Sequence, residues 1–313
     1  MASRDSSVSY RQITGPEELD LFLTLSCSLD HELRGDLSVG FRRPEWMWVA
    51  LRDGQLLARV AWWGPAQDTI PSVLDVLDLA DAPDRIEVGT ELLRAALARL
   101  IPTGVQPPDY VRFIPSNWRA SAASRQVVED RMAVAYRTGA RLLVERLRLE
   151  WLPGSPIGVK GDRVIFRPVS DDGELVDLMT LVMAGTLDAH SGDDLTRMSA
   201  REGAIRHFED ELARYRSPRA WWRIAARPDG VPVGFVIPAR NDYHAILAYL
   251  GVVPDQRGHG YVDELLAEGA RILAAAGVPR IRASTDLGNV PMAQAFARAG
   301  WSNFERSINM TWG

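Results

Sequence analysis

The chain repeats itself, and an internal duplication constrains the possible folds more than any single motif does. Tyr10-Arg11-Gln12-Ile13-Thr14, followed by Glu18-Leu19 and Thr24-Leu25, matches Phe166-Arg167-Pro168-Val169-Ser170, followed by Glu174-Leu175 and Thr180-Leu181, at one offset of 156 positions. Each copy predicts a short strand, a turn and an amphipathic helix. Trp48 to Leu51, then Asp53-Gly54 and an apolar run through Val60, is echoed by Trp222 to Ala225, then Asp229-Gly230 and a run through Val236. An Asp-Gly turn between β-prone segments is a strong hairpin signal, so both copies read as hairpins. Gly139 and Trp151 flank a Glu145-Arg146 pair just as Gly300 and Trp312 flank Glu305-Arg306, which predicts a terminal hairpin in each half.

Between the halves, Leu152-Pro153-Gly154-Ser155-Pro156 opens a stretch without helical or strand periodicity, as expected of a linker. The expected organisation is residues 1–151, a linker over 152–162, and residues 163–313. A chain of 313 residues suits two cores of this size. The fold class expected is α/β with a mixed sheet in each of two tandem domains.

Charge narrows the function classes. Lys plus Arg (36) against Asp plus Glu (41) leaves a net charge of −5, and no basic run breaks the mixture, so no nucleic-acid partner is expected. Residues 1–7 lack a signal-peptide core and no apolar stretch is long enough to span a bilayer, so a cytoplasmic protein without a membrane partner is expected. The single cysteine, Cys27, excludes an internal disulfide and reads as an inert thiol in a helix. The five histidines show no paired ligand spacing, so no metal is expected.

The chemistry concentrates in the second half. An apolar strand over 246–253 runs into Pro254, then Asp255-Gln256-Arg257-Gly258-His259-Gly260, then a helix over 261–276. A helix start offers unpaired N–H groups and partial positive charge, and glycines let a diphosphate approach them closely. Arg257 could add a bidentate clamp. Ile281 to Thr285 is the next strand, and Asn289 caps a helix from Pro291 to Ala299.

This arrangement resembles the GNAT N-acetyltransferase superfamily. Its loop variant Pro-x-x-Arg-Gly-x-Gly is met by Pro254, Arg257, Gly258 and Gly260. Its second signature, Asn-x-x-Ala-x-x-x-Tyr-x-x-x-Gly-Phe, matches Asn289, Met292, Phe296, Gly300 and Trp301 in spacing. The resemblance covers residues 163–313 and implies acetyl-CoA as co-substrate. Arg257, Gly258, His259, Gly260 and Tyr261 would hold the diphosphate, while the main chain at Val252 and Val253 and the Asn289 side chain would hold the pantetheine. A main-chain N–H at Val252 or Val253 would serve the oxyanion. Phe296 stands where the family's general acid, a tyrosine, is usual, and a phenyl ring donates no proton.

Other proton carriers are therefore expected. Tyr249 on the central strand is the candidate acid, and His244, with Asp242 beside it, and Asp286 are candidate bases. The segment 185–220 should shape the acceptor site. Asp188, His190, Asp193 and Asp194 there would favour a cationic amine, or else form a solvated loop and helix cap. In the first half, Arg85 and Glu87 stand where Gly258 and Gly260 do, so that copy should bind no acetyl-CoA. The expected activity is transfer of an acetyl group to a small-molecule amine. Transfer of a larger acyl group and a CoA-binding regulator or scaffold without catalysis are the alternatives.

Overall fold

The computed structural model describes residues 7–158 and 161–313; the expectations placed on residues 1–6 and on Val159 and Lys160 lie outside the described residues. The chain divides into two compact units, Met1–Glu145 with Arg306–Gly313, and Arg146–Glu305.

In the first unit β1 (Ser9–Gln12), α1 (Leu19–Phe22), α2 (Asp30–Val39), β2 (Met47–Arg52), β3 (Gln55–Trp63) and β4 (Val73–Leu79) lead to α3 (Arg85–Leu100), β5 (Tyr110–Pro115) and α4 (Ala122–Arg137). The first four strands pair antiparallel in chain order, and α3 carries the chain over to a parallel β5. Strand alternation sets the two faces: Trp48 and Ala50 join the core beneath α3 and α4, whereas Met47, Val49 and Leu51 join Leu19, Phe22 and Leu33 of α1 and α2. Asp53 (φ 50°) and Gly54 (φ 77°) make the tight β2–β3 turn that the Asp-Gly signal predicts. Trp46, Trp48 and Trp62 are buried core residues, and Trp63 packs against Phe41.

Cys27 lies before α2 rather than within a helix. The Asp30 carboxylate accepts from the Cys27 N–H at 3.0 Å and starts a new helix there. Burial, with Asp78 nearby, pushes the thiol pKa up to about 12, so Cys27 is unreactive.

β6 (Arg141–Trp151) leads into the second unit, which continues with β7 (Ile165–Pro168), α5 (Asp172–Met183), α6 (Ala189–Asp194), α7 (Ala200–Asp210), β8 (Arg223–Ala226), β9 (Pro232–Arg240) and β10 (Ala245–Val252). Then come α8 (Tyr261–Ala275), β11 (Ile281–Asp286), α9 (Val290–Arg298) and β12 (Ser302–Thr311). The strand order across this unit is β6-β11-β10-β9-β8-β7. Leu265, Leu266 and Leu273 of α8 and Phe296 of α9 pack on one sheet face with Val236, while α5 and α7 cover the other with Phe235 and Ile237.

The terminal segments of the two halves are single strands, not hairpins. Gly139 (φ 96°) and Gly300 (φ 76°) end α4 and α9 in the left-handed conformation and turn the chain into β6 and β12. The repeated Glu-Arg pairs take ionic partners: Arg306 meets Glu145 at 2.7 Å in the first unit, and Arg148 meets Glu305 in the second. Because residues 306–313 belong to the first unit, the compact units do not coincide with a linear division at 152–162. No helix among the described residues is long and apolar enough to cross a membrane.

Candidate active site

β10 and β11 start as parallel neighbours, Ala245 opposite Ile281 and Ile246 opposite Arg282, and then part. A bulge between Leu247 and Tyr249 re-aims the rest of β10 while it stays paired with β9 through Val252. Beyond Ile246, therefore, one edge of β10 is left without a strand partner. The Val253 N–H donates to Val233 at 2.9 Å, so by strand alternation the Val252 N–H faces the open edge. Of the two main-chain donors expected for an oxyanion, only Val252 remains available.

Gly258 (φ 81°) and Gly260 (φ 76°) both adopt the left-handed conformation, and a Cβ at either would meet only open space. Gly260 caps α8 without a side-chain hydrogen bond. Among the described residues, no main-chain carbonyl accepts from the N–H groups of residues 258–262. These five donors sit at the positive end of a helix of 15 residues, a setting that fits a diphosphate.

Arg257 sits differently from the expected clamp. Its Nε donates to Val252, Nη1 to Ala184 and Gly185, and Nη2 to Val182, all main-chain oxygens at 2.7–3.1 Å. It ties the loop to the C-terminal end of α5, satisfying carbonyls a helix end leaves unpaired.

A cavity of about 740 Å³ joins these features within the second unit. Tyr249, Val252, Arg257, Gly258, Gly260, Tyr261, Asn289 and Phe296 line it, so eight of the expected site residues share one space. Asn289 caps α9, its Oδ1 accepting from Met292 at 3.3 Å, which leaves its Nδ2 as a donor. Phe296 is buried edge-on to Trp301 and supplies an apolar wall. Val253, His259, His244 and Asp286 are not part of the lining. His259 accepts at its main-chain oxygen from Arg163 at 2.8 Å.

His244 closes the Asn241 turn at the far end of β10, its N–H bonded to Asn241 Oδ1 at 2.7 Å. Burial, then Arg282, Arg280 and Arg148, push its pKa down to about 4, so it is neutral but away from the cavity. Asp286 is buried, its pKa raised by burial despite Arg146, which pairs with it at 2.9 Å. Its second oxygen accepts from the Ala189 N–H at 2.6 Å and anchors the start of α6. With both oxygens engaged, Asp286 holds the cavity wall. Asp188, His190 and Asp286 bring ligand-type atoms within 4.8 Å of one another, and the Arg146 guanidinium stands at the carboxylates as their cation.

The segment expected to shape the acceptor site lines the cavity through Asp188, His190 and Asp194, while Asp193 pairs with Arg197. Two further lining residues were not singled out from the sequence, His207 and Glu211. The His207 ring stacks on Tyr249 with centroids 4.7 Å apart, and its Nε2 lies 3.3 Å from Glu211. Their i,i+4 spacing is the one sequence signal that could have found them. Burial raises the Tyr249 pKa, with Asp188 adding to it, so its phenol holds its proton at neutral pH.

A strand that parts from its parallel neighbour, a glycine helix start and a cavity between them define a GNAT-fold chain in tandem arrangement. Residues 189–301 match the acetyltransferase (GNAT) family. The chain is similar in fold to a GCN5-related N-acetyltransferase from Sphaerobacter thermophilus (16% identity, TM-score 0.63, covering 99% of this chain and 96% of that one). It is also similar to a tandem GNAT protein from the clavulanic acid biosynthesis pathway (15% identity, TM-score 0.52, covering 97% and 98%). No curated protein matches the sequence significantly.

Proposed function

We propose that the chain is an N-acetyltransferase that moves the acetyl group of acetyl-CoA to the amine of a small molecule, with the donor held in the second unit. One observation carries this reading: the open β10 edge and the free N–H groups of Gly258, Gly260, Tyr261 and Val262 at the start of α8 border the same cavity as the proposed acceptor segment. Acetyl-CoA supplies a thioester whose thiolate is a fair leaving group. The Gly258 and Gly260 main chain would seat its diphosphate, and the unpaired edge at Leu250 and Val252 would take the pantetheine amides as an added strand does. The Val252 N–H, on the open edge, would stabilise the oxyanion. Tyr249, which keeps its proton, is the candidate donor to the departing thiolate. Of the lining carboxylates, Asp188 is paired with Arg146, Asp194 with Arg206 and Asp210 with Arg214, so Glu211, whose neighbours are His207 and Tyr215, is the one whose charge would favour a cationic amine.

The first unit is proposed to hold no donor. Its β4 and β5 also pair at one position only, Leu74 with Tyr110. There, however, Arg112 donates to the Leu77 carbonyl at 2.9 Å and pairs with Asp78 at 2.9 Å, while Arg59 pairs with Asp78 at 2.8 Å. Side chains occupy the strand edge that a pantetheine would need.

Phe296 favours a second reading, a CoA-binding scaffold without turnover. Thiol release from acetyl-CoA across a panel of small mono- and diamines separates the two. Amine-dependent release supports transfer, and tight donor binding without release for any amine supports the scaffold.

A further inference from the structure

Transfer from a thioester to a cationic amine needs a base, because an ammonium has no lone pair. Neither base expected from the sequence reaches the cavity, and the structure holds a better-built group. The Tyr215 hydroxyl donates to Glu211 Oε1 at 2.6 Å, and the other oxygen of Glu211 lies 3.3 Å from Nε2 of His207. That nitrogen is buried and faces Glu211 as an ion-pair contact without hydrogen-bond geometry, so Nδ1 is the ring nitrogen left for a substrate. The imidazole lies flat on Tyr249, the proposed acid, and both His207 and Glu211 line the cavity.

We propose, resting on the acetyltransferase reading, that His207 is the general base, with Glu211 and Tyr215 as positioning residues behind it. Glu211 fixes the tautomer with hydrogen on Nε2 and stabilises the imidazolium that forms. Burial opposes ionisation of Glu211, and the neighbouring His207 with the Tyr215 hydroxyl more than offsets it. Nδ1 takes one proton from the ammonium, the freed amine bonds to the thioester carbon, and the C–S bond breaks. The second amine proton ends on the thiolate, relayed by Tyr249, and the first leaves to solvent from His207. The other charged and titratable groups of the lining are Arg206 and Asp210 on the same segment, Tyr249 on β10, and Arg146, Asp188, His190, Asp194, Arg257 and Tyr261 elsewhere around the cavity.

Long-range proton–nitrogen NMR of the full-length protein labelled in histidine tests the arrangement without an acceptor; loss of one signal in His207→Gln assigns it. The neutral ring is expected as the Nε2–H tautomer in the wild type. A predominant Nδ1–H tautomer would overturn the proposal. With the amine found by the thiol-release panel, His207→Gln should lower kcat about 10²- to 10⁴-fold, with acetyl-CoA affinity unchanged by calorimetry. Glu211→Gln should lower kcat and mix the two His207 tautomers in the same NMR spectrum, because the carboxylate facing Nε2 is lost, and Glu211→Asp should restore part of both. Wild-type kcat in His207→Gln, or wild-type kcat and tautomer in Glu211→Gln, would also overturn it. A wild type that binds no acetyl-CoA would instead defeat the transferase reading, and the tautomer would still report on the dyad.

Discussion

Gly234 of β9 is where the fold and the proposed donor slot depend on one missing methyl group. A Cβ there would lie 2.0 Å from the Gly251 carbonyl oxygen and 3.1 Å from the Val252 Cα, both main-chain atoms that cannot rotate away. Gly234→Ala therefore has to separate β9 from β10 by more than about 1 Å, since nonbonded carbon contacts sit near 3.5 Å. The bonds at risk are those around the Val252–Gly234 pair and the Val253 N–H to Val233. Overpacking costs about 1–3 kcal/mol, and one or two lost hydrogen bonds add about 1 kcal/mol each. The expected loss is thus about 2–5 kcal/mol, read as a lower urea midpoint at unchanged slope. Because β10 carries the open edge at Val252, acetyl-CoA affinity should fall as well. Gly258→Ala, where a Cβ meets nothing, should cost only the left-handed strain of about 1–2 kcal/mol. A Gly234→Ala protein with the wild-type midpoint and affinity would refute the reasoning.

Arg257→Ala should weaken the hold on Val182, Ala184 and Gly185; for four mostly exposed hydrogen bonds at about 0.5 kcal/mol each, about 1–2 kcal/mol is expected in denaturant titration. Its signature should be faster hydrogen exchange over 184–191 rather than a salt-dependent loss of donor affinity. Asp78→Asn should destabilise the first unit by about 3–5 kcal/mol, since Arg112 and Arg131 would be left buried without their carboxylate while Arg59 keeps only Asp30, and calorimetric unfolding measures it. Burial opposes ionisation of Glu145, but Arg119 and Arg306 hold its pKa down at about 2. A folded pKa below the unfolded one means that its contribution is full above about pH 4.5 and lost as pH falls towards 2; at most it is about 3 kcal/mol. Glu145→Gln should flatten that acid limb of the stability curve.

What could be read from the sequence was local. The Asp53-Gly54 turn, the strand and helix on either side of Gly258 and Gly260, and the Asn289 cap depend on residues within a few positions of each other. The parting of β10 from β11 depends on a bulge and on register across strands, which periodicity does not encode. Arg257 and its carbonyl partners on α5 lie over 70 positions apart, so a loop arginine read as a clamp became a tie. Tyr249 was visible as a strand residue, but the imidazole stacked on it comes from α7. His244 sits at the end of β10 away from the cavity, and Asp286, at the near end of β11, is held by Arg146 and the Ala189 N–H, which only the folded chain shows.

The central claim is one donor site per chain, seated on the start of α8. Calorimetry of acetyl-CoA with the intact protein measures it most directly. The expected result is a stoichiometry of one, abolished by Gly260→Glu, whose carboxylate would stand among the five free N–H groups. A stoichiometry of two, or undiminished binding in Gly260→Glu, would contradict it.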